Sequence, residues 1–439
     1  MRSEGLADAL KNAFNVFREK LLSGLLWNGL STASLQGANL LASALLARLL
    51  GLESFGAYAL LIATATTLAN LAQWGSGFVI TKLVSENLGV NPTGVRSALR
   101  LCALLTTGLG IISSFLLWLM APEFGVYVLH RPELSAEIRW IAISIVFQVV
   151  ITYQTGALQG FSAFRQLGRT NTYAGLISLV CLVTGAWLDG LVGALIGFTM
   201  ATGLRSLLCG LALRRVRTDL DLTGSAPIRK NEFKHLWQLA LPAGLAGLVT
   251  MPALWLVNLG LSSLPQGLSL VGVFSVAMQI RQVALQVPIL LNAVTFAALG
   301  QAKGLGTTSE FNKLLVTNLW VNLLVGGSIA LFMALAAEQL LWLWKISNAE
   351  NALTVRILAA SLIPELIAIS AYQLVQSSGR MWTSLFQIAI PRDAAYLGLA
   401  TWFMATHGVT SVALAYLAAQ IIGLITTLTT VWQIRSKSS

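Results

Sequence analysis

Runs of about 20 consecutive apolar residues recur along almost the whole of this 439-residue chain, and each is long enough to cross a hydrocarbon core about 30 Å thick. No other feature narrows the fold so far. A backbone surrounded by lipid must satisfy its own hydrogen bonds, which leaves helices or closed barrels. No train of alternating strands of about ten residues is present, so the spans are helices. The runs place twelve of them at about 22–47, 55–80, 98–120, 138–158, 171–188, 191–213, 238–259, 270–297, 314–336, 353–376, 383–405 and 409–432. The expected fold class is therefore an all-α polytopic membrane protein. Hydrophobic residues make up 56% of the chain and charged residues 10%, so water cannot be its main solvent. The net charge of +11 would suit nucleic acid, but most Lys and Arg fall in short loops between spans, where they report insertion orientation. Nucleic-acid binding is excluded on that ground.

The longest strongly polar stretch, Arg214 to Lys234, lies midway along the chain with an apolar half on either side. It reads as a cytoplasmic linker joining two copies of one membrane unit. The expected division is a cytoplasmic amphipathic segment 1–21, a first lobe 22–213, a linker 214–237, a second lobe 238–432 and a tail 433–439. Within 1–21, Leu6, Leu10, Phe14, Phe17 and Leu21 share one helical face among basic residues, which suits a helix lying on the membrane surface. The segment is too charged for a cleavable signal. Lys and Arg number 20 on the side holding both termini and five on the other, which puts both termini in the cytoplasm.

The halves can be laid over one another. Phe55-Gly56-Ala57-Tyr58 resembles Val271-Gly272-Val273-Phe274 at an offset of 216, Leu158-Gln159 resembles Val375-Gln376 at 217, and Gly190-Leu191-Val192 resembles Gly408-Val409-Thr410 at 218. Three matches in order at a nearly constant offset predict a duplication of six spans. An even number keeps both copies in one orientation. Tight hairpins are expected at Asp189-Gly190 and His407-Gly408.

Polar residues inside spans point to function, because a charge at membrane depth costs about 2.5–3.5 kcal/mol unless paired or wetted. Arg205, Arg281 and Arg392 are the basic residues there, and Glu365 and Asp393 the acidic ones. Arg205 lies near the cytoplasmic end, where snorkelling to the surface competes with a buried role. Arg392 and Asp393 follow Pro391, which removes a helical hydrogen bond and is expected to open the backbone. Amides and hydroxyls also line up at helical spacing. Asn28 and Asn39 belong to a stripe in the first span, Gln148 to one in the fourth, and Gln279, Gln282 and Gln286 to one in the eighth. Each stripe alone would serve as interhelical glue. Together with the intramembrane charges they predict a hydrated central cavity suited to a polar, anionic cargo, arginines for phosphates and amides for sugar hydroxyls. Cys102, Cys181 and Cys209 lie far apart in apolar segments with no metal-ligand spacing, and no catalytic, metal or cofactor constellation is expected.

The stretch Ala47–Glu86, with Arg48, Leu50, Gly51, Phe55, Gly56, Tyr58, Gly75 and Lys82 in place, resembles the opening hairpin of polysaccharide exporters of the multidrug/oligosaccharidyl-lipid/polysaccharide (MOP) superfamily. The likeness continues through Leu158–Arg169 and His407–Gln420. It implies two six-helix lobes in a V with a cavity open alternately to each side. It also implies a bacterial inner-membrane flippase of the Wzx type, which moves polyprenyl-diphosphate-linked oligosaccharide to the outer leaflet. Its partners would be the lipid-linked glycan, the bilayer and a polysaccharide polymerase or export machinery. On this reading Arg281 and Arg392, with Arg48 near the outer end, meet the anionic headgroup. Glu365 or Asp393 binds a coupling H+ or Na+, or else neutralises a neighbouring arginine.

Other classes compete. A small-molecule or cation antiporter of the same superfamily would prefer an acidic cavity, whereas two acids face three arginines here. A glycosyltransferase or ligase would need larger loops with acceptor chemistry. A non-transporting subunit of a polysaccharide synthesis complex leaves no distinguishing mark in the residues.

Overall fold

A computed structural model describes the backbone of residues 2–224, 250–304, 308–346, 348–377 and 381–436, with most side chains from residue 32 onward. The side chains of the amphipathic segment 1–21, that of Asn28 and residues 225–249 of the linker region lie outside the described residues. Helices joined by short turns make up the described chain, with no strand among those residues.

Among the described residues, eight helices are long and apolar enough to cross a membrane. Two of them are hairpins, since Thr32–Gln73 and Phe164–Asp219 hold 42 and 56 residues. At ~1.5 Å per residue a straight helix of either length would be about twice a bilayer core or more. The first breaks at Gly51 (φ 78, ψ 165), so that Leu35 and Asn70 come to line one cavity. The second breaks at Asp189 and Gly190 (φ 52), and the expected hairpin at Gly408 has the same left-handed glycine (φ 54). The count of twelve is not reproduced by length and apolarity. The expected span 238–259 is described only from residue 250, and the expected span 383–405 is interrupted by a π-helical stretch, Leu385–Ala389.

Several boundaries differ from the sequence reading. The expected span 55–80 ends at Gln73, because Trp74 (φ 47) and Gly75 (φ 69) turn the chain into a separate helix, Ser76–Asn87. The linker begins as helix, since Phe164–Asp219 carries Arg214, Arg215 and Arg217 beyond the apolar span. Charged residues are good helix formers, and nothing breaks the chain before Leu220. Pro391 does not open the chain locally. It sits in the first turn of Ile390–Ser436, and the π-helical turn before it absorbs the lost hydrogen bond.

The duplication is visible in the backbone. The helix ends at Met120 (φ −89, ψ 15) and Ala336 (φ −92, ψ 15) match in conformation. The two halves also meet reciprocally. A Cβ on Gly56 would lie 1.7 Å from the Leu268 carbonyl oxygen, and one on Gly272 would lie 2.8 Å from that of Leu52. Leu52 and Leu268 share the 216-residue offset of the two glycines. A contact in which i meets j and j meets i is the signature of a two-fold axis. Only glycine lets the backbones approach this closely.

Burial then divides the molecule by depth. At the end bearing Gly51, Gly190 and Gly408 (the far end), one apolar core takes residues from both halves, among them Leu46, Phe55, Ile138, Phe274, Leu341 and Val412. At the linker end the described core splits. One cluster holds only residues of the first half (Ile80, Leu99, Leu158, Val216) and another only the second (Leu374, Val375, Ile388, Ile434). The halves are thus sealed together at the far end, with separate cores at the linker end.

Candidate functional site

The far-end seal uses polar clasps as well as apolar packing. Arg48 donates from Nε to Leu343 O at 2.7 Å and lies 5.2 Å from the Trp342 ring centroid. Arg131 reaches Ser262 O at 2.5 Å, Trp255 Nε1 donates to Thr64 Oγ1 at 2.9 Å, and Trp344 Nε1 to Ser43 Oγ at 3.2 Å. Each bond crosses from one half to the other. Arg48, expected near the outer end of a cavity, therefore binds the seal, away from the other candidates.

Deeper in the second half sit two ion pairs. Arg281, from the helix Gly267–Gly304, is 2% exposed; it donates from Nε to Ser361 Oγ at 3.0 Å and from a terminal nitrogen to Glu365 Oε2. Its guanidinium carbon lies 4.6 Å from the Tyr416 ring centroid, a cation–π contact strengthened by the lack of water. Arg392 grips its own neighbour, Asp393, with Nε to Oδ1 at 2.7 Å and a second bond to Oδ2 at 3.0 Å. Thr250 Oγ1 donates to the same carboxylate at 2.6 Å. Tyr396 packs edge-to-face on Tyr416 at 5.2 Å. Of the two roles the sequence leaves open for Glu365 and Asp393, neutralising an arginine is the one the geometry displays. Removing one member of such a pair strands a buried charge, at a cost of about 3–5 kcal/mol.

The first half holds a cavity of ≈350 Å³ at the corresponding depth. Asn39, Thr66, Asn70, Gln73, Gln148, Thr152, Thr155, Ser178, Thr202 and Arg205 line it. Gln148 accepts from Thr66 Oγ1 at 3.3 Å and donates to Ser144 Oγ at 3.2 Å. A second cavity of ≈260 Å³ shares Asn39, Ser178 and Phe198 with the first and reaches Gln279 and Gln282 of the other half. Gln286 is half-buried on the same helix and lines neither cavity. The sequence candidates thus separate into a neutral set at a cavity (Asn39, Gln148, Gln279, Gln282), a charged set in closed pairs (Arg281, Glu365, Arg392, Asp393) and the clasp Arg48.

Sequence reasoning leaves Arg205 open between snorkelling and a buried role, places Ser361 only in a polar stripe with Glu365, and does not single out Thr250, Tyr396 or Tyr416. One signal was available. Ser144 and Gln148 stand 217 residues before Ser361 and Glu365, the offset of that part of the repeat, so the partnered stripe in one half foretold the other. A cluster of buried amides, with Asn318 donating to Asn292 at 2.8 Å and Asn322 to Asn318 at 3.0 Å, was also missed and ties helices of the second half together.

Comparison with known proteins adds three findings. The family model described as polysaccharide biosynthesis protein matches residues 21–303. The lipopolysaccharide biosynthesis protein WzxC of Escherichia coli (strain K12) is 28% identical over 204 residues, which are 45% of this chain and 39% of that protein, so the match spans less than half of that relative. The EPS I polysaccharide export inner membrane protein EpsE of Ralstonia solanacearum is 24% identical over 417 residues, 91% of this chain and 90% of that one. Among solved structures, the inward-facing conformation of a multidrug resistance MATE family transporter of the MOP superfamily superposes with a TM-score of 0.78 at 17% identity, covering 92% of this chain and 96% of that one. An outward-facing conformation from the same transporter family gives 0.69 at 16% identity, covering 95% and 96%. Identities this low establish the fold alone.

Proposed function

Since the chain belongs to the polysaccharide biosynthesis protein family and has the MOP-superfamily fold, we propose that it flips polyprenyl-diphosphate-linked glycan from the cytoplasmic to the outer leaflet of a bacterial inner membrane. The observation that carries this reading is the pair of adjoining cavities whose polar lining is amides and hydroxyls with one cation, Arg205, lying between a sealed far end and a linker end where the cores separate. Amides and hydroxyls match sugar hydroxyls in both donor and acceptor capacity. On the reading that the excess of Lys and Arg marks the cytoplasmic side, the linker end and both termini lie there and the described state faces inward.

In this scheme the glycan occupies the cavities, the polyprenyl tail stays in lipid between the halves, and rocking of the two six-helix lobes about the linker 214–237 exchanges access. No bond is made or broken. Arg281 and Arg392 meet the diphosphate only when their carboxylates release them. A proton on Glu365 or Asp393, or Na+ held by either, does this by cancelling the carboxylate charge, which ties cargo binding to a coupling ion. A polymerase or export complex then takes the glycan from the outer leaflet.

The test is the leaflet distribution of the lipid-linked glycan in cells lacking the gene, with complementation by wild type and by the double variant Arg281→Ala/Arg392→Ala at matched expression. Accumulation in the inner leaflet, cleared only by wild type, is the expected result. Glycan that reaches the outer leaflet without the gene product would rule the scheme out.

A further inference from the structure

Arg205 faces the ≈350 Å³ cavity from the helix Phe164–Asp219. Its guanidinium makes one hydrogen bond among the described residues, to Asn171 Oδ1 at 3.2 Å, and its buried Nε has no partner there. Gln73 Oε1, in the wall of the same cavity, is also buried without a donor. Both residues thus belong to the wall of one polar space, and each keeps a buried polar atom that no described residue satisfies.

The repeat explains why the counter-charge is missing. At the 218-residue offset, Arg205 corresponds to Gly423, Ala174 to Arg392 and Gly175 to Asp393. In the second half Arg392 packs its side chain against Gly423, with 3.0 Å from its Cδ to a Cβ built there. In the first half the arginine comes from the opposite helix, and Ala174 and Arg205 line the cavity together. Both halves place a guanidinium between the same two helices. Only the second supplies the neighbouring aspartate, while the first has Gly175, where a side chain would meet Ser34 O at 3.3 Å. A guanidinium taken out of bulk water without a counter-ion is costly, so this one is built for an anion that arrives from outside.

We propose that Arg205 is the subsite for the carboxylate of an acidic sugar within the cargo, an assignment that rests on the glycan-carrier reading above. Charge selects the class. With Arg281 and Arg392 neutralised by their own carboxylates, Arg205 offers one positive charge, matching a uronate-type carboxylate and leaving a diphosphate undercompensated. Size agrees, because ≈350 Å³ lies at the small end of ligand pockets, about 300–1,000 Å³. Gln148 and Asn70, in the wall of the same cavity, offer partners for ring hydroxyls.

The experiment uses the full chain in lipid nanodiscs and titrates methyl glucuronide, methyl glucoside and inorganic pyrophosphate, followed by saturation-transfer NMR. The glucuronide is expected to bind at least tenfold more tightly than the glucoside. Arg205→Gln abolishes that preference and Arg205→Lys keeps part of it, with gel-filtration profiles unchanged. Gln148→Leu weakens both glycosides alike. Equal binding of the two glycosides to wild type, or an undiminished preference in Arg205→Gln, overturns the assignment. So does pyrophosphate binding that depends on Arg205 while the glucuronide does not bind. These titrations involve no transport step, so they stand or fall independently of the leaflet assay.

Discussion

Arg392 and Arg281 enter the second half already holding a carboxylate, whereas Arg205 in the first half stands beside a cavity with one amide for a partner. The two regions occupy matching places in a duplicated fold. At the repeat offsets, Tyr396 and Tyr416 stand where Ser178 and Phe198 do, and Glu365 stands where Gln148 does. Ion-paired and aromatic residues fill one copy, with only the Tyr396 hydroxyl of this group left without a partner among the described residues, while mostly neutral side chains around Arg205 leave the other copy open. Buried ion pairs held by several bonds rigidify what they join, and a cavity lined by amides exchanges partners at little cost. Duplication thus separates two tasks that one copy could not perform together, a stiff charged half and a receptive half.

The sharpest way to break this comparison is to substitute the matched positions 148 and 365. Glu365→Leu strands the guanidinium of Arg281, and the expected loss is about 3–5 kcal/mol of stability. Gln148→Leu removes neutral hydrogen bonds beside a cavity that water can enter, at about 1 kcal/mol. Thermal unfolding of the purified protein in one detergent reads both. The double variant Arg281→Gln/Glu365→Gln rebuilds in the second half the neutral pattern of the first, and it should recover most of what Glu365→Leu loses. Equal losses from the two single substitutions would mean that the halves do not differ as described.

Much of this arrangement could be read from the residues, and the rest could not for identifiable reasons. Gly190 and Gly408 announce hairpins because left-handed backbone selects glycine, and Gly56 and Gly272 mark the repeat because two backbones touch there. The pairing of Arg281 with Glu365 spans 84 positions on separate helices, and periodicity carries no information about such a distance. Arg392 with Asp393 is harder still, since successive residues on a helix do not face each other; the side chain of Arg392 must fold back along Gly423 to reach its neighbour. Arg205 stays open in the sequence because depth alone cannot separate a snorkelling arginine from one turned toward a cavity.

A second, smaller effect tests the reciprocal glycine contact. Gly56→Ala drives a methyl group into the Leu268 carbonyl, whose oxygen would lie 1.7 Å away, whereas Gly272→Ala meets Leu52 O at 2.8 Å. Overpacking of this kind costs about 1–3 kcal/mol, so Gly56→Ala should fall near the top of that range and Gly272→Ala near the bottom. Because the strain exists only while the far end is closed, both substitutions should also favour its opening. Disulfide cross-linking between Arg48→Cys and Leu343→Cys is the readout, and its yield should fall further with Gly56→Ala. The reverse order would refute the two-fold contact.

The smallest effect belongs to the clasp itself. Arg48 is exposed, so water competes for its bonds to Leu343 O and Trp342 O, and its removal should cost about 1 kcal/mol with the ring contact included. A change of that size leaves folding nearly untouched, yet it moves a two-state equilibrium about fivefold. Arg48→Ala should therefore shift the population toward the far-end-open state, seen as longer distances between spin labels placed on Tyr127 and Leu335, without a matching loss of thermal stability. Lys82→Ala supplies the contrast. It breaks only an exposed pair with Glu86 inside the first half at the linker end, so it should leave the distance distribution where it was. If both substitutions move it alike, surface charge in general sets the balance between the two states. If Arg48 alone moves it, the far-end seal is a set of bonds between halves that the transport cycle must break, and the separated cores at the linker end are its resting condition.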